Sequence, residues 1–397
     1  MRVLHLSADF PDPVEAAKTK AVKALVDRTA EQFDHRVISL NRRFPGVASF
    51  ASKILRNPGQ PLPETQFGEF PYGTTAIYPA PPRGILHRTM LERLADEIAH
   101  TVLREEKPDL IVGHKLTVEG FCAYRIARRL GVPYALVLQG DTDQKILSAR
   151  PDLRAHLGKV FHEAAWVFPF SPWSLISVES YLGKRSGPTT MLPCIPAIED
   201  ITPPQVNDSY LLSVFHLKSA SRKNLKAIME AQRINRTEGR HYDLRIIGGG
   251  SEEDWANARA LTASDTHTTL AGERDAADVR SEMAGATGFV LPSKRETFGM
   301  VFIEALFCGL PIIYPSGTAV DGLFDYAPFA IGVDPEDYSA LAKAMTKLVE
   351  NEAELKATLA DWQLSEDALR FNGTAIGDAF AEGLRGAVGQ GASGALS

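Results

Sequence analysis

Short apolar segments alternate along the whole chain with longer segments of helical period. In the first half, the segments with strand character are residues 2–6, 36–40, 109–113, 134–138 and 166–170. In the second half they are residues 210–215, 243–247, 268–271, 288–291, 311–314 and 329–332. Between them, apolar residues recur every three or four positions, which is the period of amphipathic helices. Alternating strands and helices predict an α/β fold with parallel sheets, and the pattern occurs twice.

Two regions interrupt this pattern. Pro193, Pro196, Pro203 and Pro204 punctuate a stretch that supports neither a helix nor a central strand, so we predict the domain linker there. The expected domains are residues 1–195 and residues 205–370, and the length of 397 residues also favours two domains. Residues 41–83 are rich in proline and predict a long irregular segment.

The composition is that of a soluble protein, with 44% hydrophobic and 23% charged residues. Cys122, Cys194 and Cys308 form no Cys-x-x-Cys motif, so neither a disulfide framework nor a zinc site is predicted. No signal peptide or spanning segment is recognisable. These features predict a cytoplasmic location.

The charge distribution is uneven. A net charge of -6 argues against a nucleic-acid partner. Residues 35–63, however, lack acidic side chains and carry five basic ones among apolar neighbours: Arg36, Arg42, Arg43, Lys53 and Arg56. This pattern predicts peripheral contact with an anionic membrane at its inner face, while the competing interpretation is a solvated loop.

The most informative segment is residues 292–311. A buried strand is predicted to end before it, and a helix is predicted from about Gly299 to Gly309. Glu296 then lies in the loop and Glu304 in the helix. The free N–H groups at the helix start, near Phe298 and Gly299, favour an anionic ligand.

This segment resembles the Glu-x7-Glu motif of family 4 glycosyltransferases. The resemblance implies a GT-B fold, in which two Rossmann-like domains face each other across a cleft, and a helix at residues 372–386 that packs back onto the first domain. It also implies a retaining transferase that uses a nucleotide-diphosphate-sugar and needs neither a metal nor a cofactor. Glu304 would bind the nucleotide ribose. Glu296 and the backbone at Phe298, Gly299, Met300 and Val301 would hold the donor sugar.

Other residues of the second half resemble the donor site of the same family. Lys223 is the candidate cation for the departing diphosphate, with Arg222 or Lys218 beside it, because positive charge stabilises the developing negative charge. Gly248 and Gly249 resemble the glycine-rich turn after the second strand, and Arg274 lies in the segment that would frame the base. Three glycines after a strand are also compatible with a simple tight turn.

In the first half, Gln139 occupies the place where the family has a histidine that faces the reacting sugar. Glutamine cannot act as a general acid or base, although its amide can bind hydroxyl groups. Three alternatives stay open: Gln139 orients the donor, Asp141 or His114 takes over the role, or activity is lost.

The resulting hypothesis is transfer of a sugar to a glycan or lipid-linked acceptor in cell-surface polysaccharide synthesis. One alternative is a metal-dependent enzyme in which Asp141 and Asp143 form an Asp-x-Asp pair. A second is a nucleotide-sugar-binding pseudoenzyme, and a third is a nucleotide-sugar epimerase of the same fold. The sequence does not identify the nucleotide, the sugar or the acceptor.

Overall fold

The computed structural model of the protein describes residues 1–44, 46, 64–80, 86–102, 107–207 and 209–394, with side chains to residue 390. The chain divides into two compact units. The first comprises Met1–Phe170, Ser174–Pro193 and Ile376–Ser397, and the second comprises Ser171–Trp173 and Cys194–Ala375.

The first unit is built on a seven-stranded sheet in the order β3-β4-β2-β1-β5-β6-β7. Its strands are β1 Arg2–Ser7, β2 Asp34–Arg43, β3 Gln66–Phe70, β4 Gly73–Pro79, β5 Leu110–Gly113, β6 Tyr134–Leu138 and β7 Trp166–Pro169. Among these strands, which lie in the described residues, only the β3–β4 pair is antiparallel. The central strands β5 and β6 are buried along their whole length, as expected when helices cover both faces of a parallel sheet.

The helices of this unit connect the parallel strands. They are α1 Ala21–Arg28, α2 His87–Thr101, α3 Phe121–Leu130, α4 Asp141–Ala149, α5 Arg154–His162 and α6 Pro172–Leu182, the last of which begins in residues of the second unit. A π-helical turn, Leu116–Gly120, precedes α3.

The hairpin β3–β4 corrects the prediction that residues 41–83 are irregular. Strand β4 adds to the sheet beside β2, from Val37↔Gly73 to Arg43↔Pro79. Its buried positions include threonines, so its sequence lacks the continuous apolar run by which the other strands were recognised. Of the predicted basic cluster, Arg36, Arg42 and Arg43 lie in β2, whereas Lys53 and Arg56 lie outside the described residues.

The second unit is built on six parallel strands in the order β10-β9-β8-β11-β12-β13. They are β8 Leu211–Val214, β9 Leu244–Ile247, β10 Thr268–Gly272, β11 Gly288–Val290, β12 Ile312–Pro315 and β13 Ala330–Val333. The helices are α7 Leu225–Thr237, α8 Glu252–Thr262, α9 Ala276–Gly285, α10 Met300–Phe307, α11 Tyr338–Glu350, α12 Glu352–Gln363 and α13 Glu366–Leu369. Every strand predicted from the sequence is present in the two sheets, within one or two residues at most ends.

The last helix, α14 Gly373–Gly394, extends beyond the predicted 372–386. From Ile376 onward it belongs to the first unit, where the Phe380 ring packs edge-on against Phe168 at 5.2 Å. A Cβ on Gly383 would lie 2.4 Å from the Phe168 ring, so this glycine allows the helix to approach β7 closely. None of the described helices is long and apolar enough to cross a membrane.

A row of hydrogen-bonded histidines crosses three strands of the first sheet. His114 Nε2 lies 3.0 Å from His5 Nδ1, and His5 Nε2 lies 2.8 Å from His35 Nδ1. Burial lowers the pKa of His35 to about 4. Burial, and then the nearby Lys115 charge, lower the pKa of His114 to about 3. Burial also lowers the pKa of His5. The three rings are therefore neutral at physiological pH.

This row predicts that the first unit loses stability in mild acid. An unfolded histidine binds a proton near pH 6.5, whereas His35 and His114 stay neutral in the folded chain down to about pH 4 and pH 3. The unfolded state thus binds more protons in this window. The free energy of unfolding should fall as the pH falls below about 6.5, by up to about 1.4 kcal/mol per pH unit for each such histidine.

Urea unfolding between about pH 7 and pH 5 measures this dependence. His35→Gln should reduce the pH slope, whereas His241→Gln, at an exposed position of the second unit, should leave it unchanged. Equal slopes in the wild type and His35→Gln would contradict the assignment.

Candidate functional site

In the second unit, the predicted Glu-x7-Glu segment joins β11 to α10. Glu296 lies in the loop, and Glu304 lies within α10. Gly299 precedes the helix with φ +76°, a left-handed conformation that favours glycine. A Cβ there would lie 2.6 Å from the Phe302 ring and 3.1 Å from Glu296 Cγ. The glycine therefore allows the loop to hold Glu296 close to the amino end of α10.

The Glu296 carboxylate forms an ion pair with Lys223, whose side chain comes from the loop after β8. Both side chains are largely shielded from solvent, with exposed fractions of 11% and 13%. The two loops are also joined through the backbone, because Lys294 N donates to Arg222 O at 2.9 Å. The structure thus brings together two residues that the sequence analysis assigned to separate parts of the donor.

Asn224 fixes the turn that presents Lys223. Its backbone is left-handed, with φ +64°, and its Nδ2 donates to Pro292 O at 3.1 Å and to Pro335 O at 2.8 Å. Asparagine tolerates this conformation better than most residues do. Sequence analysis did not identify Asn224, although its position directly after the basic pair was visible.

The Glu304 carboxylate contacts the start of the linker. Its Oε1 accepts a hydrogen bond from Ala197 N at 2.9 Å. Burial raises the pKa of Glu304, and the bond from Ala197 opposes that shift. Burial and the nearby Glu296 carboxylate also raise the pKa of the Cys194 thiol. The segment 194–197 therefore lies beside both glutamates, a contact that the sequence analysis missed.

Gly248 and Gly249 follow β9, where the chain passes close to the loop after β8. A Cβ on Gly248 would lie only 1.8 Å from Phe215 O, and one on Gly249 would lie 2.6 Å from the Glu273 carboxylate. Leu217 N donates to Gly249 O at 2.8 Å, which joins the two loops. Close packing explains why both positions require glycine. The predicted contact of Gly248 and Gly249 with a phosphate group stays a prediction.

The remaining donor-side candidates differ in exposure. Lys218, Arg222 and Arg274 are exposed, Met300 and Val301 are half-buried, and the Phe298 side chain lies within the core. Arg274 lines a cavity of about 510 Å³ together with Tyr210, Arg245, Asp278, Ser281 and Glu282. In that cavity Arg245 lies over the Tyr210 ring and pairs with Glu282.

In the first unit, Gln139 directly follows β6 and is nearly buried. Its Nε2 donates to His114 O at 2.9 Å. Since a carbonyl oxygen can only accept, this bond fixes the amide orientation. The amide oxygen Oε1 is then directed elsewhere as a hydrogen-bond acceptor. His114 contributes its backbone carbonyl to this arrangement, while its ring is buried in the histidine row.

Asp141 and Asp143 have different environments. Asp141 opens α4 after Gly140, whose φ is +100°. The Asp143 carboxylate is buried and accepts from Leu116 N at 3.2 Å, Thr117 N at 2.9 Å and Thr117 Oγ1 at 2.8 Å. Asp143 thereby caps the π-helical turn. In the part of the chain that the structure describes, no group of three or more His, Cys, Asp or Glu side chains is arranged to hold a metal ion.

Sequence analysis assigned no role to a set of charged side chains at the carboxyl ends of β1 and β5. Lys115 Nζ lies 2.7 Å from Asp9 Oδ2 and 3.8 Å from Glu119 Oε1. In the loop after β1, Lys18 pairs with Asp12 at 3.0 Å, and both are shielded from solvent. A detectable signal was present, because Lys115 and Glu119 occur four residues apart directly after a buried strand.

Comparisons with known proteins show what this chain is similar to. Residues 196–361 match the family model described as glycosyl transferases group 1. An uncharacterized glycosyltransferase of Methanocaldococcus jannaschii is 22% identical over 272 residues, which are 67% of this chain and 72% of that protein.

Two solved structures resemble the chain along nearly its whole length. A sucrose-phosphate synthase from Thermosynechococcus elongatus superposes with a TM-score of 0.68 at 19% identity, covering 96% of this chain and 98% of that one. A UDP-forming α,α-trehalose-phosphate synthase from Burkholderia xenovorans, in complex with glucose-6-phosphate, superposes with a TM-score of 0.66 at 12% identity. That match covers 97% of this chain and 100% of the other. At these identities the likeness establishes the fold.

Gly248→Ala tests whether the loops after β8 and β9 depend on their close contact. The added Cβ would meet a backbone oxygen, so part of the turn must move, and we expect a loss of about 1–3 kcal/mol in the free energy of unfolding. Gly285→Ala is a matched control in the same unit, because its Cβ would meet only ordinary van der Waals contact with Tyr210. Urea unfolding compares the two. Equal stability of both variants would contradict this account of the turn.

Proposed function

We propose that this chain, a glycosyltransferase of the GT-B type, is a retaining enzyme that transfers a sugar from a nucleotide-diphosphate-sugar to a saccharide hydroxyl. The proposal starts from the match of residues 196–361 to the glycosyl transferases group 1 family. The predicted family resemblance and the predicted α/β GT-B fold with two parallel sheets are confirmed. The donor, the stereochemical course and the acceptor are the proposed part.

The observation that carries the proposal is the Lys223–Glu296 ion pair beside the amino end of α10. Because this shielded lysine is already paired with a carboxylate, the chain does not need a bound anion in order to fold. It can, however, turn to a diphosphate when one binds, and this frees the Glu296 oxygens to accept from sugar hydroxyls. The free N–H groups of the first turn of α10 add positive potential in the same place. Lys223, with Arg222 and Lys218, would stabilise the leaving diphosphate.

Glu304 fits the predicted role of ribose ligand. Its Oε1 is held by Ala197 N, and no described residue is hydrogen-bonded to Oε2. Oε2 is therefore available to accept from a ribose hydroxyl. Because the carboxylate is shielded from water, such a bond would be stronger than at an open surface.

The transfer step needs no acid or base at residue 139. The bond between the anomeric carbon and the phosphate oxygen breaks, and the nucleoside diphosphate leaves. The acceptor oxygen then bonds to the anomeric carbon on the same face and gives its proton to the departing phosphate. Gln139 would accept a hydrogen bond from a sugar hydroxyl through Oε1. If Lys223 stabilises the charge on the leaving diphosphate, no metal ion is needed for that role. Turnover should therefore persist when a metal chelator is added.

UDP is the first nucleotide to test, because the similar Burkholderia protein is UDP-forming. Transfer to a glycan or lipid-linked acceptor in polysaccharide synthesis stays a proposal, as do a cytoplasmic location and peripheral membrane contact.

Because Gln139 replaces the family histidine, a nucleotide-binding pseudoenzyme is the second candidate. Binding of UDP without hydrolysis of UDP-glucose, UDP-galactose or UDP-N-acetylglucosamine would favour it, and conversion of the donor to its epimer would indicate an epimerase.

Glu304→Ala tests the nucleotide site. Loss of a charge-assisted hydrogen bond to ribose should weaken UDP binding by about 1.5–3 kcal/mol, measured by titration calorimetry. Glu350→Ala, which removes an exposed glutamate of α11, is the control and should bind UDP like the wild type. UDP binding that is equal in both variants would remove Glu304 from the site.

Lys223→Ala tests the leaving-group role. Removing a group that stabilises transition-state charge should lower the kcat of donor hydrolysis by about 100-fold or more, with a smaller change in UDP affinity. Lys226→Ala, at an exposed position on the first turn of α7, should leave both unchanged. A variant that loses UDP affinity but keeps kcat would show that Lys223 only anchors the nucleotide.

A further inference from the structure

A cavity of about 390 Å³ lies between three helices of the first unit, α2, α3 and α5. Its walls include the rings of Phe121, Tyr124 and His156 and the guanidinium groups of Arg125, Arg128 and Arg129. We refer to it as the α3 cavity, because most of these residues lie on α3.

The α3 cavity is separate from the carboxyl edge of the first sheet. Helix α3 begins beyond the carboxyl end of β5 and ends shortly before β6. Its last two turns, which carry the three arginines, therefore return toward the amino edge of the sheet. Gln139 and Asp141 lie beyond the carboxyl end of β6 instead. None of the residues of the cavity has a role in the proposed transfer.

Two of the arginines are available to a ligand. Arg125 donates two hydrogen bonds to the Asp96 carboxylate, at 2.9 and 2.7 Å. Arg128 and Arg129 are held less firmly, since Arg128 Nη1 lies 3.4 Å from Glu163 Oε2 and Arg129 Nη1 lies 3.8 Å from Asp96 Oδ1. Their side chains are 67% and 51% exposed. Exposed ion pairs of this kind add little stability, so both arginines can turn to an anion at small cost.

His156 gives the cavity a feature that solvated arginines do not explain. Its Nε2 is buried and has no hydrogen-bond partner among the described residues. Phe121 and Tyr124 hold the ring, with centroid distances of 4.6 and 5.8 Å. A buried nitrogen without a partner costs free energy, and a water, an ion or a functional role explains such atoms. His156 can donate from Nε2, either in its charged form or in the tautomer with hydrogen on this nitrogen.

The surroundings indicate the class of ligand. Guanidinium groups match the geometry of phosphate and carboxylate groups. The rings of Phe121, Tyr124 and His156 favour an aromatic group, because contacts between aromatic rings gain more than the burial of their area alone. The volume of the cavity is in the range of small-molecule sites.

We propose that the α3 cavity binds a small organic anion in which a phosphate or carboxylate group is joined to an aromatic ring. Arg128, Arg129 and His156 Nε2 hold the anionic group, and the ligand ring packs against Tyr124. This inference goes beyond the proposed function and does not depend on it.

Saturation-transfer NMR with the full chain tests the inference. The probes are phenyl phosphate, cyclohexyl phosphate and benzoate, with inorganic phosphate as a competitor. We expect the wild type to bind phenyl phosphate, benzoate or both. Phenyl phosphate should bind about three-fold or more tightly than cyclohexyl phosphate, because only its ring is aromatic. Inorganic phosphate should compete weakly, since it lacks the ring.

Two sets of variants locate the binding. Arg128→Gln combined with Arg129→Gln should raise the Kd of the aromatic probe about ten-fold or more, because charge-assisted hydrogen bonds are lost. Arg233→Gln is the matched control, since Arg233 is an exposed arginine of α7 that also pairs with one glutamate. Lys223→Ala should bind the probe like the wild type, because the proposed donor site is not involved.

His156→Phe separates a ligand contact from a structural role. Phenylalanine keeps an aromatic ring in place and removes the unpaired nitrogen. The variant should therefore bind the aromatic probe about three-fold or more weakly, while urea unfolding shows no loss of stability.

The inference is overturned if neither phenyl phosphate nor benzoate binds, or if cyclohexyl phosphate binds as tightly as phenyl phosphate. It is also overturned if the double variant binds as Arg233→Gln does, if His156→Phe keeps wild-type affinity, or if Lys223→Ala abolishes binding. A protein that binds the probe through Arg128 and Arg129 but hydrolyses no sugar donor would support this inference and refute the proposed transfer.

Discussion

The proposed donor site depends on a contact between two loops that follow neighbouring strands, β8 and β11. Parallel pairing of these strands places both loops at the same edge of the sheet, and the Lys223–Glu296 ion pair closes the gap between them. Asn224 and Gly299 allow it, because each adopts a left-handed backbone that aims the adjoining segment toward the other loop. The amino end of α10 and the Glu304 carboxylate are then positioned by the same junction.

The carboxyl edges of the two sheets have different chemistry. In the second unit, Lys223, the exposed Arg222 and the start of α10 are the groups proposed to hold a diphosphate, with Glu296 and Glu304 proposed for hydroxyl groups. In the first unit, Lys18 pairs with Asp12 and Lys115 with Asp9, and Gln139 Oε1 is a hydrogen-bond acceptor. These differences arise although most strands of both sheets pair in parallel.

Several buried polar groups of the first unit form hydrogen bonds with the segments that follow β5 and β6. The Asp143 carboxylate accepts a hydrogen bond from Thr117 N in the π-helical turn that carries Glu119, and the His114 carbonyl orients the amide of Gln139. The His114 ring belongs to a neutral row of histidines beneath the edge. With glutamine at residue 139, the side chain offers a hydrogen-bond acceptor there and no acid or base.

The sequence alone determined the strands, their parallel arrangement and the Glu296–Glu304 segment, because apolar runs and glycine positions are local properties of the chain. It did not predict β3, which has no buried residue, or β4, whose buried threonines break the apolar pattern. Nor did it predict the partners of the charged residues. That Lys223 pairs with Glu296, Ala197 with Glu304 and Asp9 with Lys115 was decided by the tertiary structure, since these residues are 73, 107 and 106 positions apart and meet only when strand order brings loop ends together.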